Sequence, residues 1–324
     1  MLGAPDSRGS SMIKLGLVGI GKIARDQHLP AIVATDGITL VAAASRHARI
    51  DGVDHYLHID ELLAAGRVDA VALCTPPQGR YEQARAALQA GRHVFLEKPP
   101  GATLSEVDDL AALARAQGLT LFASWHSRYA PGVEAARAWL QRKPIRSVRI
   151  DWREDVRHWH PGQDWIFAAG GLGVFDPGIN ALSIVTHVLP RAFFLQQATL
   201  DFPANRQAPI AAELTFADSA GIDIRASFDF LQTGTQTWDI EIVTDAGTLR
   251  LAGGGAAMFV DGTAQPLPPE AEYRGLYARF VQLIREGGER RRPASAAPCR
   301  RRLPARRAAY GGGLRLVARA AMRY

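Results

Sequence analysis

A lysine follows an apolar segment in the tripeptide Glu97-Lys98-Pro99. The preceding residues 92–96 are typical of a buried parallel strand, and ligands of open α/β sheets bind at the carboxyl ends of such strands. An amine in that position can hold a hydroxyl group or exchange a proton with it. The tripeptide therefore predicts that Lys98 lies where a substrate meets a cofactor.

A glycine-rich turn, Gly19-Ile20-Gly21-Lys22-Ile23-Ala24, follows another apolar segment near the N-terminus. Small residues at positions 19, 21 and 24 allow a tight turn and the close approach of a dinucleotide pyrophosphate, which accepts hydrogen bonds from a helix N-terminus. A plain strand-to-helix turn also requires glycine where φ is positive. We predict that the cofactor contacts Gly19, Gly21, Lys22 and Ile23.

The dipeptide Ser45-Arg46, after the second predicted strand, indicates which dinucleotide is preferred. An NAD site usually has an acidic residue there, which binds the ribose 2′-hydroxyl. A hydroxyl and a guanidinium instead suit a 2′-phosphate, so the sequence favours NADP without excluding NAD. Thr75-Pro76 is predicted to border the nicotinamide ribose, and Glu97 and Lys98 complete the predicted cofactor contacts.

The segment Asp176-Pro177-Gly178-Ile179-Asn180 is a second candidate for chemistry. Proline at a first helical position predicts that Asp176 is an N-cap, and residues four apart share one helix face. A plain N-cap with a surface asparagine explains the spacing equally well. The preceding Gly170-Gly171-Leu172-Gly173 favours a site, because backbone without side chains leaves space for a ligand.

Two domains are predicted to position these groups. Strands alternate with helices in the first part, as in a doubly wound parallel sheet, and Thr103-Leu104-Ser105-Glu106 is a helix-starting capping box. Longer segments with period-two alternation follow after residue 131. The first set of strands is 13–18, 38–45, 69–74, 92–96 and 119–123, and the second is 145–155, 193–202, 210–218, 221–230, 236–244 and 247–251.

The predicted fold class is α/β, with an N-terminal Rossmann domain plus a C-terminal α/β domain that has an open, mainly antiparallel sheet. The predicted divisions are a disordered leader over 1–11, an NAD(P)-binding Rossmann domain over 12–128, a substrate-binding and oligomerisation domain over 129–284, and a disordered Arg/Pro-rich tail over 285–324.

Composition argues against several kinds of partner. Residues 285–324 hold twelve arginines and two acidic residues, so the rest of the chain is slightly acidic and offers no basic face for nucleic acid. No segment approaches the roughly 20 apolar residues of a membrane span. Cys74 and Cys299 form neither a disulfide framework nor a metal site. We expect no metal, no nucleic-acid partner, no membrane partner and a cytoplasmic location.

The glycine turn, Glu97-Lys98-Pro99 and Gly170-Gly171…Asp176-x-Gly178-x-Asn180 together resemble the Gfo/Idh/MocA oxidoreductases over roughly residues 12–284. Within that family, residues 125–128, 154–165 and 175–183 are most similar to bacterial L-arabinose/D-galactose 1-dehydrogenases. The resemblance implies NAD(P)-dependent oxidation of a small-molecule aldose at C1 to the aldonolactone. We also expect that a homo-oligomer could form through the C-terminal sheet.

Most members of this family carry a histidine, usually credited as the general acid/base, where this chain has Asn180. An amide cannot take a proton at neutral pH, so Asn180 can only orient a hydroxyl, and the base must be Lys98 or Asp176. Desolvation and a positively charged nicotinamide are expected to lower the pKa of Lys98. Lys98, Asp176 and Asn180 are therefore the predicted catalytic residues.

The resemblance further implies that His126, Glu154 and Trp238 contact the sugar. A carboxylate accepts paired hydrogen bonds from vicinal hydroxyls, and an indole face suits the C–H side of a pyranose. Without the family, a core position explains Trp238 and His126 more readily, and Glu154 could be a solvated strand residue. The neighbouring residues 158–160 could line the same opening and are left unassigned.

Two other functions remain as alternatives: a non-catalytic NAD(P)-binding sugar sensor or regulator, and a dehydrogenase of another sugar or polyol. Intact Lys98 and Asp176 favour an enzyme, because a sensor need not retain an acid/base pair. The family normally closes with an apolar helix, whereas this chain closes with an arginine- and proline-rich string. Such a composition would also fit an out-of-frame reading of a GC-rich gene.

Overall fold

The computed structural model describes residues 12–291, and the first domain within them is built on a six-stranded parallel sheet. The sheet order is β3-β2-β1-β4-β5-β6, so the strand order reverses between β1 and β4, where ligands of doubly wound sheets bind. Its strands are β1 (Ile13–Val18), β2 (Ile38–Ala44), β3 (Asp54–Tyr56), β4 (Ala70–Leu73), β5 (His93–Leu96) and β6 (Leu121–Ala123).

Helices follow the strands of this sheet. After β1 the chain forms a π-helical turn, Ala24–His28, that continues into α1 (Leu29–Val33). The other helices are α2 (Ile59–Ala64), α3 (Arg80–Gln89) and α4 (Leu104–Gln117). The predicted capping box starts α4, because Thr103 and Glu106 each accept a hydrogen bond from the backbone N–H of the other.

The second domain is an eight-stranded sheet in the order β14-β13-β12-β11-β7-β10-β9-β8. Neighbouring strands are antiparallel except for β7 and β10, which are parallel. Its strands are β7 (Ile145–Arg153), β8 (Phe193–Asp201), β9 (Ala211–Asp218), β10 (Asp223–Asp229), β11 (Thr237–Thr244), β12 (Gly247–Ala252), β13 (Ala257–Val260) and β14 (Thr263–Ala264). The predicted fold class is confirmed.

Among the described residues, helices pack against one face of the second sheet. α5 (Val133–Trp139) and α7 (Phe175–Val188) share an apolar core with the buried side chains of the strands. A short helix, α6 (Val156–Trp159), follows β7. The opposite face carries polar residues such as Arg149, Glu213 and Arg225, which alternate with the buried ones.

The last described element, α8 (Glu272–Arg291), packs against the first domain. Tyr273, Leu276, Tyr277, Phe280 and Val281 are buried in the same core as β1 and β5. The predicted boundary at residue 284 therefore falls inside a helix that the sequence analysis did not predict. The apolar spacing of three and four residues was the signal for it. The predicted leader, 1–11, and the tail from residue 292 lie outside the described residues.

The short strands β3, β13 and β14 were not predicted. With two to four residues each, these strands are too short for an alternating pattern to be visible in the sequence. Among the helices of residues 12–291, none has both the length and the apolar character required to cross a bilayer.

Candidate active site

Lys98 and Asp176 meet at the carboxyl end of β5. The Lys98 Nζ lies 2.9 Å from Asp176 Oδ2 and 3.3 Å from the Asp176 carbonyl oxygen. Asp176 is buried in the first turn of α7, whereas 16% of the Lys98 side chain is exposed. A buried carboxylate thus holds an amine that a substrate can reach.

Asp176 is not the N-cap of α7, contrary to the sequence analysis. The helix begins at Phe175, with Val174 as its N-cap. Val174 and Phe175 are buried in the core of the second domain, and this packing starts the helix earlier than the proline predicts. The Asp176 carboxylate is consequently directed to Lys98 rather than to the backbone of its own helix.

Asn180 lies one turn beyond Asp176 on α7 and is half-buried. Its backbone carbonyl accepts a hydrogen bond from Ser183 Oγ at 2.7 Å. Its side-chain amide has no hydrogen-bond partner within the part of the chain that the structure describes. This amide is therefore available to orient a hydroxyl group near the Lys98–Asp176 pair.

The glycines before and within α7 allow close packing rather than leaving space for a ligand. A Cβ on Gly171 would collide with the carbonyl oxygens of Trp165 and Ile166. A Cβ on Gly178 would lie 2.7 Å from the ring of Phe228. The expectation that this segment is open to a ligand is therefore wrong at these positions, because the protein's own atoms occupy the space.

The pKa of Lys98 is shifted upward, opposite to the sequence-based expectation. Burial lowers the pKa of this amine, but the charge and hydrogen bond of Asp176 outweigh burial and hold it above its ordinary value. Lys98 therefore rests as an ammonium ion paired with a carboxylate. It must lose a proton before it can accept one from a substrate.

Glu154 and Trp238 lie beside this pair. Glu154 follows β7 and is 6% exposed, and Trp238 Nε1 donates a hydrogen bond to its Oε2 at 2.9 Å. Trp238 faces Trp152 across the β7–β11 pairing, which fixes its position near Glu154. Burial raises the pKa of Glu154 from 4.5 to about 7, because the hydrogen bond from Trp238 and the charge of Lys98 offset only part of it.

Replacing Glu154 with glutamine should change the pH dependence of stability. The folded state binds a proton at Glu154 more tightly than the unfolded state, so the native protein loses stability as pH rises from about 4.5 to about 7. Glu154→Gln removes this loss. The difference in melting temperature, variant minus native, should therefore be more positive at pH 8 than at pH 4. A difference that is independent of pH would contradict the raised pKa.

His160 completes the cluster, although the sequence analysis left it unassigned. Its Nε2 lies 3.6 Å from Asp176 Oδ2 and 3.8 Å from Glu154 Oε1. Burial lowers the pKa of His160 below its ordinary value, despite the charge of Asp176. Nothing in the sequence separates His160 from the neighbouring His158, because only the fold brings one of them to the carboxylates.

His126, a predicted sugar contact, follows β6 and is held by α8. Its Nδ1 lies 2.6 Å from Glu272 Oε2, and its ring stacks on Tyr273 with a centroid distance of 5.4 Å. Its side chain is 19% exposed. The helix thus fixes the ring, and the ring remains partly accessible.

The Glu97 side chain is directed into the protein, whereas the sequence analysis predicted a cofactor contact. It is 4% exposed and accepts hydrogen bonds from the Tyr273 hydroxyl at 2.8 Å and from the backbone N–H of Lys98 at 2.8 Å. His28 Nε2 lies 3.2 Å away, and His28 Nδ1 lies 2.7 Å from the Tyr277 hydroxyl. Burial raises the pKa of Glu97, but its hydrogen bond and charge interaction with His28 lower it to about 2.

Arg80 joins the loops after β4 and β5. Its buried guanidinium donates hydrogen bonds to the carbonyl oxygens of Thr75, Glu97 and Pro99. Burial lowers the pKa of Arg80 to about 10. No motif marks Arg80 or His28, and the partners of His28 are also distant in sequence, so neither residue was predicted.

The predicted cofactor turn lies at the carboxyl end of β1, where the sheet order reverses. Gly19 has φ of 87°, and a Cβ on it would lie 3.0 Å from the backbone nitrogen of Thr75. A Cβ on Gly21 would have no neighbour within 4 Å, so the outer side of the turn is open. Ile23 is 37% exposed, and the exposed Lys22 pairs with Asp26.

The remaining predicted cofactor residues follow β2 and β4. Arg46 is exposed and makes no ion pair with any residue between 12 and 291, and the half-buried Ser45 accepts a hydrogen bond from the N–H of His47 at 3.3 Å. Thr75 Oγ1 donates to Gln83 at 2.7 Å, and Pro76 is exposed. Among the described residues, no group of three or more His, Cys, Asp or Glu side chains is arranged to hold a metal ion.

Known proteins resemble this chain in sequence and structure. Residues 13–124 match the GFO_IDH_MocA model, an oxidoreductase family with an NAD-binding Rossmann fold. A galactose 1-dehydrogenase from Pseudomonas fluorescens is 50% identical over 273 residues, covering 84% of this chain and 88% of the relative. A D-galactose-1-dehydrogenase crystal structure from Rhizobium etli shares 59% identity with a TM-score of 0.83, covering 86% of this chain and 89% of the other.

A more distant structure shares the fold. A 3-ketoreductase from Actinomadura kijaniata, in complex with NADP and TDP-benzene, has a TM-score of 0.75 at 22% identity and covers 86% of this chain and 91% of its own.

A glycine turn at the switch point of the first sheet, together with an amine and carboxylate pair at the carboxyl end of β5, is typical of a dinucleotide-dependent oxidoreductase. Its Rossmann fold is of the NAD(P)-binding kind. The chain belongs to the Gfo/Idh/MocA oxidoreductase family. The resemblance stated from its motifs is thereby confirmed.

Proposed function

We propose that the protein is an NAD(P)-dependent aldose 1-dehydrogenase that oxidises D-galactose, L-arabinose or both at C1 to the aldonolactone. The observation that carries this proposal is the 2.9 Å contact between Lys98 and Asp176, with Glu154 and Trp238 beside it. The similar proteins from Pseudomonas fluorescens and Rhizobium etli are galactose 1-dehydrogenases. The two sugars share their configuration at carbons 2, 3 and 4, so one pocket can accept both.

The chain offers a suitable place for the dinucleotide. The open space beside Gly21 admits a pyrophosphate, with Gly19, Lys22 and Ile23 around it. Ser45 and Arg46 would hold the adenosine ribose, and Thr75 and Pro76 would border the nicotinamide ribose. When bound, the nicotinamide accepts a hydride from the substrate carbon.

The side chains around Lys98 bind the sugar and move its proton. Lys98, once deprotonated, accepts the proton of the C1 hydroxyl, and Asp176 keeps the amine in line. Asn180 orients the hydroxyl through its free amide. A carboxylate and an indole suit the rest of the ring, so Glu154, Trp238 and His126 are the proposed sugar contacts.

Arg46→Ala should weaken NADP binding much more than NAD binding. The Arg46 guanidinium has no protein partner among the described residues and can pair with a 2′-phosphate, whereas a 2′-hydroxyl gains little from it. A lost charge-assisted hydrogen bond costs about 1.5–3 kcal/mol, so the Michaelis constant for NADP should rise roughly ten- to a hundredfold. Ser45→Asp should act in the same direction by repelling the phosphate.

The Michaelis constants of both cofactors, measured with each variant, test this preference. Arg49→Ala is a matched control, because Arg49 is exposed in the same loop and should leave both constants unchanged. Equal weakening of NADP and NAD by Arg46→Ala would show that Arg46 does not recognise the phosphate.

A spectrophotometric screen of aldoses with NAD and NADP tests the proposed function. We expect reduction of the cofactor with D-galactose and L-arabinose, and much slower reduction with D-glucose, which differs from D-galactose at carbon 4. Saturable sugar binding without any reduction would favour the sugar sensor. Reduction with polyols but not with aldoses would favour a dehydrogenase of another substrate.

We also propose a cytoplasmic location and a homo-oligomer. A chain with Cys74 and Cys299 as its only cysteines suits a reducing cytoplasm. We further propose that the polar face of the second sheet, which no described helix covers, joins two copies of the chain. Sedimentation equilibrium with and without charge substitutions at Arg149 and Arg225 would test this association.

A further inference from the structure

If the proposed function holds, Lys98 must lose a proton before each oxidation. Lys98 is an ammonium ion paired with Asp176, so its extra proton must leave before the amine can act as a base. Each sugar oxidation also releases one proton, which has to reach the solvent. A group beyond Asp176 that can accept and release a proton would meet both needs.

We propose that His160 accepts the proton of the Lys98–Asp176 pair and passes it to water at the opening of the site. His160 is a positioning and proton-carrying residue in this scheme, because it acts through Asp176 and not on the substrate. Its Nε2 lies 3.6 Å from the same Asp176 oxygen that binds the Lys98 amine. A path of three side chains thus leads from the amine to a partly exposed imidazole.

Charged groups of both signs surround His160. Asp176 on α7 and Glu154 after β7 both lie within 4 Å of Nε2. Glu154, with its pKa raised to about 7, is only partly ionised at neutral pH, whereas the charge of Asp176 stabilises the imidazolium form. Lys98 is the cation that opposes it, and Phe230, whose ring centroid lies 5.8 Å away, is uncharged. Burial lowers the pKa of His160, so the ring is neutral at pH 7 and able to accept a proton.

Each proton transfer in this path has a donor and an acceptor. A proton leaves Lys98 Nζ for Asp176 Oδ2, and His160 Nε2 then takes it, which restores the carboxylate and forms an imidazolium. In this scheme the neutral ring carries its own proton on the buried Nδ1, so that the Nε2 lone pair is free to accept the transferred proton. Nε2 releases the transferred proton to water, since 18% of the side chain is exposed. The 3.6 Å separation has to shorten during the reaction, as catalytic contacts commonly do once substrate binds.

His160→Gln tests the proposal, because glutamine keeps a polar side chain but cannot carry a proton at neutral pH. We expect kcat at pH 7 to fall roughly ten- to a hundredfold, which is at or below the lower end of the usual effect of proton transfer. The Michaelis constant for D-galactose should change by less than about threefold. The loss should shrink towards pH 10, where hydroxide removes the proton, and added imidazole should restore part of kcat.

His158→Gln is the matched control. His158 is exposed, packs against Trp159 and has no ion pair with the carboxylates among the described residues. The kcat and the pH profile of the His158→Gln variant should equal those of the native protein. If His160→Gln lowers kcat equally at every pH and imidazole has no effect, His160 has only a structural role and the proposal is overturned.

A titration separates this proposal from the proposed function. The imidazole of His160 can be followed by nitrogen-15 NMR in the full chain without substrate. Asp176→Asn should lower the pKa of His160, because a carboxylate that stabilises the imidazolium is lost. An unchanged pKa would overturn the coupling of the two groups. If the coupling is present but no aldose is oxidised, the proposed function fails and the proton path stands.

Discussion

Lys98→Met is expected to lower kcat for D-galactose by a factor of roughly 10² to 10⁴, the usual contribution of a general base. Methionine keeps much of the side-chain length but has no group that can bind or accept a proton. Dinucleotide binding should stay within severalfold of the native value, because the phosphates are proposed to bind at the turn of residues 19–24. Steady-state kinetics and a direct cofactor titration measure the two quantities.

Lys98→Arg separates the base from the ion pair. A guanidinium can still pair with Asp176, but it cannot be deprotonated in a protein. We expect this variant to be as inactive as Lys98→Met while melting closer to the native temperature, because the buried Asp176 carboxylate keeps a cation beside it. Native turnover by either variant would remove Lys98 from the mechanism.

Ending the chain before α8 is expected to unfold the first domain. The buried residues of α8 each contribute about 1.5–3 kcal/mol by burial. The helix includes Tyr273, Leu276, Tyr277, Phe280 and Val281. Their sum is on the order of 10 kcal/mol, which is comparable to the whole stability of a domain. Thermal melting followed by circular dichroism should show no cooperative transition for the shortened chain.

A chain that ends after Arg291 is the control, because it keeps α8 whole, and we expect it to melt cooperatively. Tyr277→Phe gives a milder test that still folds. It removes the hydroxyl that contacts buried His28, and an unpaired buried group costs about 1–3 kcal/mol. A cooperative transition at the native temperature without α8 would contradict the role assigned to this helix.

The sequence predicted the groups that a parallel sheet necessarily brings together. The turn at Gly19 and the lysine at residue 98 each follow a strand of one sheet, so their placement at one edge needs only the strand assignment. That Lys98 and Asp176 act at one site was expected from the family resemblance. The upward shift of the Lys98 pKa was not expected, because it depends on a distance of 2.9 Å that only the folded chain defines.

The contacts that support the site could not be predicted from the sequence, because they join residues that are far apart in the chain. His28 and Tyr277 are separated by 249 positions, and neither lies in a motif. Glu154 meets Trp238 only through the register of β7 and β11, which an alternating pattern does not specify. The packing role of Gly171 likewise depends on a neighbouring loop.

Oxidation at C1 is the central claim, and D-galactose carrying deuterium at C1 tests it most directly. The full-length protein is incubated with the labelled sugar and NADP, and the reduced cofactor is isolated and examined by proton NMR and mass spectrometry. We predict that the reduced nicotinamide carries the deuterium at C4 and that the sugar product is the unlabelled aldonolactone. Reduced cofactor without deuterium, together with an oxidised sugar that retains its C1 label, would contradict the account.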